Sequence, residues 1–164
     1  MNKDKTLIEL LEKLNIDYKI HNHTPIKTVQ DAIDKNLEMP GLNLKNLLIK
    51  DKKNNEFYLV ILDDKKQFDS KKFKEVTNAK KISFASEEEL YNILKLTPGE
   101  VGPFGLINEK DNKVKIVFDI DLANASEEEL VNFHPNRNDG TLSLTKKDFL
   151  KYLEYLQKEI IILK

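Results

Sequence analysis

The chain has 164 residues, 40% hydrophobic and 34% charged, with 27 Lys and Arg against 28 Asp and Glu for a formal charge of −1. That balance is a globular domain's, long enough to bury about two thirds of its unfolded surface, and it excludes a disordered chain or a protein that coats long duplexes. Cysteine is absent, which excludes disulfides, thiolate nucleophiles and cysteine metal sites; no apolar run approaches the ~20 residues of a membrane span.

The start, MNKDKTLIEL, lacks a signal-peptide core, so a cytoplasmic protein is expected. Leu7, Ile8, Leu10, Leu11 and Leu14 recur at helical spacing and predict a first helix ending near Asn15. YKIH (18–21) reads as a short strand entering the polar turn HNHTP. Thr28, with Asp31 three residues on, reads as the N-cap of a short helix carrying Val29, Ala32 and Ile33. After the Pro40-Gly41 turn, strands at 44–50 and 56–62 flank KKNN as a hairpin. SKKFKEV (70–76) predicts a helix and KISF (81–84) a strand. The hexamer ASEEEL occurs twice, and Ser86 with Glu89 and Ser126 with Glu129 both form capping-box patterns. The loop TPGEVGPFGL (97–106), a strand at 114–120, a short strand at 143–145 and a last helix from Asp148 to about Lys158 complete the order. No linker divides residues 1–164, so a single α+β (mixed α/β) domain is expected.

Three stretches can carry chemistry. In LKNLLIKD (44–51), Lys45 shares a strand face with Leu47 and Ile49. A buried ammonium without a partner is costly, so Lys45 either reaches solvent past the strand mouth or meets an anion. In 97–106, Gly99, Gly102, Pro103 and Gly105 combine freedom and stiffness; this is either a connecting loop or a backbone cradle for oxygen anions. FHPNRNDGT (133–141) is dense in donors and acceptors, with His134 a possible base or part of a capped turn. His21 and His23 form a weak metal pattern and read as surface residues, and no P-loop, GxGxxG or HExxH motif is present.

Taken in order, TVQDA (28–32), LKNLLIKD (44–51), ISFAS (82–86), PGEVGPFGLIN (98–108) and VNFHPNRNDGTLSL (131–144) resemble the YbaK-type aminoacyl-tRNA editing domains, from about residue 5 to 160. Within that family the chain is most similar to the free-standing prolyl-tRNA editing proteins, which deacylate Ala-tRNA(Pro). The resemblance implies a YbaK/EbsC-type curved, mostly antiparallel mixed sheet flanked by helices. It implies catalytic positions at Lys45, Gly99, Gly102 and Pro103. Substrate-binding positions fall at Thr28, Asn46, Phe104, Gly105, His134, Asn138 and Thr141.

The implied reaction is hydrolysis of the ester at the 3′ terminal adenosine of mischarged proline tRNA. No metal or cofactor is expected. The 99–103 backbone would stabilise the oxyanion, a substrate hydroxyl would help activate water, and Lys45 would hold the terminal nucleotide. Expected partners are the tRNA acceptor end and prolyl-tRNA synthetase, with no DNA and no membrane. Two other readings stay open: a deacylase for cysteine or serine, and a non-catalytic module that senses aminoacyl-tRNA. Arg137 and nearby lysines are candidates for contact with the tRNA body.

Overall fold

The frame is a hairpin of β2 (Leu42–Asp51) and β3 (Glu56–Asp63), in a computed structural model that describes residues 4–25 and 40–164. Its register runs from Leu44 opposite Asp63 to Asp51 opposite Glu56, and Asn55, at φ 53°, supplies the left-handed residue of the turn. Leu48, Leu59 and Ile61 enter a larger core, while Ile49, Tyr58, Val60 and Leu62 enter a smaller one on the opposite face. Burial on both faces explains why FYLVIL (57–62) is an unbroken apolar run instead of an alternating one.

β5 (Val114–Asp119) lies parallel to β3, and β8 (Ile160–Leu163) parallel to β5. On the other side of β2, β6 (Leu130–Phe133) runs parallel to Leu42 and Asn43, and β4 (Ile82–Phe84) antiparallel to Ile49–Asp51. β7 (Gly140–Thr145) and β1 (Lys19–Asn22) extend the sheet beyond β6 as antiparallel strands. Four antiparallel and three parallel pairings join these eight strands, a mixed sheet of the expected class. One notch interrupts it. Over residues 44–47 the β2 edge between β6 and β4 pairs with no strand among the described residues. Leu48 C=O accepts from Ala85 N–H on that edge, so alternation turns the amides of Leu44 and Asn46 into the notch.

Helices cover both faces. α1 (Lys5–Lys13) buries Leu7 and Leu11 in the larger core, and Asn15, at φ 56°, follows its end. α2 (Ser70–Thr77) covers the smaller core with Phe73; it is capped by Asp69, whose carboxylate accepts from Lys72 N–H, and closed by left-handed Asn78. α3 (Glu87–Leu94) has both bonds of the Ser86–Glu89 capping box. A 3-10 turn over Pro103–Asn108, the short α4 (Ile120–Asn124) and α5 (Lys146–Tyr155) complete the set. No helix among the described residues is long and apolar enough to cross a membrane.

Three expectations need correction. The second ASEEEL does not cap a helix: Glu129 N–H turns back to Ser126 C=O at 3.1 Å, and Leu130 begins β6. After Leu90 the sequence keeps helical spacing through Ile93 and Leu94. After Leu130 it offers Val131 and Phe133 to β7, and Lys146 and Lys147 N–H groups take the Glu129 and Glu127 carbonyls. The last helix begins at Lys146 because Thr145 caps it by accepting from Asp148 N–H. Finally, β6, α4 and β8 were not anticipated. The helix expected from Thr28 lies outside the described residues.

Candidate functional site

The loop before the 3-10 turn folds around its own acid. Glu100, only 5% exposed, accepts from Thr97 N–H (3.0 Å) and Thr97 Oγ1 (2.9 Å), while its N–H donates to Thr97 C=O (2.9 Å). Two clamps then fix the following residues. Tyr152 Oη donates to Pro103 C=O at 2.8 Å, and Asn136 Nδ2 donates to Phe104 C=O at 3.2 Å. The loop is thereby held against α5 on one side and the 134–138 segment on the other.

That clamping brings together four of the predicted residues. A Cβ on Gly99 would stand 3.4 Å from Asn138 Nδ2, and one on Gly102 would stand 3.5 Å from the His134 C=O. Beyond His134, the β1–β7 register places His21 opposite Thr141, and His23 Nε2 lies 2.8 Å from Thr141 Oγ1. The predicted Thr141 therefore has a histidine partner from the start of the chain.

The protonation of these rings follows from their partners. His134 Nδ1 faces the Gly140 C=O at 3.4 Å, and a carbonyl can only accept, so the proton sits on Nδ1 and Nε2 keeps its lone pair. Burial lowers the His134 pKa, aided by the charge of His23 and opposed by the Gly140 bond and by Glu100. Neutral His134 thus offers an acceptor nitrogen at neutral pH. His23 Nδ1 likewise donates to Thr24 C=O (2.8 Å), leaving Nε2 to accept from Thr141 Oγ1. Both His23 nitrogens are engaged, and among the described residues no cluster of His, Asp and Glu suits a metal ion.

β2 contributes differently on its two faces. Asn46 alternates with Leu44 and Leu48, which pack in the larger core together with Val101, Phe104 and Leu106 of the loop. Its Oδ1 is buried without a hydrogen-bond partner, and so is Oδ1 of Asn136, a residue only 4% exposed. Buried acceptors normally have donors, so these two oxygens stand apart from the other buried polar groups among the described residues. Lys45 alternates with Leu47 and Ile49 on the other side of the sheet, half-buried, and enters no ion pair among the described residues. The structure thus puts Asn46, not Lys45, on the loop's side of the sheet.

Other predicted residues serve the scaffold. Phe104 is fully buried, edge-on to Phe133 and Tyr152 at ring distances of 5.7 and 5.2 Å. A Cβ on Gly105 would collide with Leu96 Cδ1 at 2.6 Å, so glycine there permits close packing. Thr28 lies outside the described residues. Arg137 is spent on internal partners: its guanidinium reaches Asp4 (3.0 Å), Asp139 (2.9 Å) and Asn22 Oδ1 (2.6 Å), tying together the start of α1, the end of β1 and the turn before β7. Sequence reading missed His23, Glu100, Asn136 and Tyr152. His23 and Thr141 are 118 positions apart, so no local pattern could announce the pair.

Comparison with known proteins places the chain in a family. The family described as "aminoacyl-tRNA editing domain" matches residues 23–152. The chain is 34% identical over 154 residues to the prolyl-tRNA editing protein ProX of Acetoanaerobium sticklandii, covering 94% of this chain and 92% of that one. It is 28% identical to prolyl-tRNA synthetase associated domain-containing protein 1 of Danio rerio, over 97% of this chain and 85% of that one. A crystal structure of a proposed trans-editing enzyme for prolyl tRNA synthetase superposes with a TM-score of 0.72 at 18% identity, over 100% of this chain and 98% of that one, which shows the shared fold. The chain belongs to the aminoacyl-tRNA editing domain family, a family of deacylases.

Proposed function

We propose that the chain hydrolyses the ester linking alanine to the 3′ terminal adenosine of mischarged proline tRNA. The observation that carries the reading is the packing of Gly99 and Gly102 against Asn138 and His134, in a chain similar end to end to a prolyl-tRNA editing protein. An aminoacyl ester is already activated, so positioning and charge stabilisation supply most of the required catalysis.

Water adds to the ester carbonyl, the carbon–oxygen bond to the ribose breaks, and a proton passes to the ribose oxygen. The N–H groups of Gly99, Val101 and Gly102 donate to no group among the described residues and are the donors for the oxyanion. Neutral His134 presents Nε2 as acceptor for the neighbouring ribose hydroxyl, orienting it toward the water. The orphaned Asn46 Oδ1 accepts from the substrate's α-ammonium. Lys45 holds a phosphate or ribose oxygen of the terminal nucleotide. It reaches the substrate around the notch at 44–47, where no strand among the described residues intervenes. Proline is refused by its size, since steric exclusion of a larger ring discriminates more strongly than loss of contact with a smaller side chain.

A panel of proline tRNAs charged with alanine, proline, cysteine or serine tests the reading. Rapid release of alanine alone is the expected result. Preferential release of cysteine or serine reassigns the substrate, and binding without turnover replaces the enzyme with a sensor.

A further inference from the structure

A single buried carboxylate organises a second surface. Asp51, fully buried at the end of β2, accepts from the backbone N–H groups of Lys53 (3.1 Å), Lys80 (3.4 Å) and Lys81 (3.3 Å) and from Asn54 Nδ2 (2.8 Å). Burial opposes its charge, but these donors, Lys81 N–H foremost, hold its carboxyl below the ordinary range. None of the partners is an ammonium. Asp51 therefore fastens the β2–β3 turn to the segment after α2 while Lys52, Lys53, Lys80 and Lys81 stay exposed. A bond from Lys52 N–H to Lys81 C=O at 2.8 Å closes the same junction.

α2 extends this face. Lys71, Lys74 and Asn78 line a shallow groove along the helix with Lys80, and Glu75 is the one acid among the lining residues. From Ser70 to Lys81 the chain carries five lysines and one acid. None of these lysines, nor Lys52 or Lys53, enters an ion pair among the described residues. Lys50, Lys66, Lys113, Lys115, Lys158 and Arg137 all do. The groove and the junction beside it thus carry seven lysines (Lys52, Lys53, Lys71, Lys72, Lys74, Lys80 and Lys81) outside any ion pair among the described residues, in a chain of net charge −1.

We propose that this lysine face binds the phosphate backbone of the tRNA acceptor stem; the proposal rests on the editing reading above. Three observations favour RNA over an acidic protein. None of the exposed large hydrophobic residues lines the groove, so a protein partner would lack an apolar anchor. α2 packs through Phe73 onto the side of the sheet that carries Leu47 and Ile49, the side of Lys45. The six-residue step from Lys45 to Asp51 spans roughly 20 Å of extended strand, the reach of several nucleotides running away from the reacting end.

The test compares two charge-matched variants. One replaces Lys71, Lys74, Lys80 and Lys81 by Gln; the control replaces the exposed Lys110, Lys147, Lys151 and Lys164 by Gln. Affinity for uncharged proline tRNA is measured across roughly 50–200 mM salt. The first variant should bind at least tenfold more weakly, with a salt slope shallower by about 0.7–0.9 per phosphate-contacting lysine removed, while the control binds like the parent. Both variants should hydrolyse a 3′-alanyl-adenosine ester, which has no stem, at the parental rate. Unchanged tRNA affinity, equal weakening in the control, or loss on the nucleoside ester would each overturn the proposal. So would weakened binding to prolyl-tRNA synthetase with tRNA affinity intact. If the parent hydrolyses neither substrate, the editing reading fails, and the binding arm still decides the lysine face.

Discussion

Gly102 lies against the main-chain carbonyl of His134, close enough that an added Cβ would stand 3.5 Å from that oxygen. This is ordinary contact, and φ at Gly102 is −174°, extended backbone open to any residue. Gly102→Ala should therefore fold normally, whereas the branched Gly102→Val should narrow the space beside His134. We expect Val to lower the rate on Ala-tRNA(Pro) at least tenfold with tRNA affinity unchanged. Parallel loss of both would indicate misfolding instead.

Tyr152 supports the same loop from behind. Tyr152→Phe leaves the Pro103 carbonyl buried without its 2.8 Å donor, which costs about 1–3 kcal/mol. For a chain of this size that corresponds to a fall in Tm of roughly 2–4 °C per kcal/mol, measurable by thermal denaturation. An unchanged Tm would show that the bond is replaced by water.

His134 sets a pH dependence whose sign can be worked out. Burial, its first cause, places the folded pKa below that of an ordinary histidine, so between these two values the unfolded chain binds more protons. Stability from this group is complete above the unfolded pKa and is lost as pH falls through the folded one. The rate should fall over the same acidic window as Nε2 is protonated. His134→Gln should flatten the stability profile there while abolishing the acidic limb of kcat/KM; a limb that persists assigns the titration to another group.

Lys45→Ala should abolish deacylation and leave Tm within about 1 °C, because exposed or unpaired charges contribute little to stability. An unchanged rate would remove Lys45 from the mechanism.

The legible parts of the fold were those with local causes. Two strand-like runs spaced by the KKNN turn revealed the β2–β3 hairpin, and the Ser86–Glu89 box revealed α3. The same box pattern misled at Ser126, because the strand pairing of Leu130 and Val131 with β7 outweighs a cap worth about 1 kcal/mol. β8 is four apolar residues whose partner, β5, is more than forty positions earlier, and nothing local distinguishes it from a helix end. At the site, the glycine loop and the His134 segment were readable as motifs. Which face each side chain occupies was less so: Phe104 and Gly105 stand inside the loop motif yet serve packing, and Asn136, inside the quoted FHPNRNDGT, carries the orphaned acceptor.

The notch beside β2 has a measurable echo. Leu44 and Asn46 sit mid-sheet, yet their amide protons face a margin that no strand among the described residues pairs with. They should trade for deuterium far faster than those of Ile49 and Lys50 on the same strand. Filling the margin with a bound nucleotide end would slow them, making two amides a reporter of occupancy that needs no turnover.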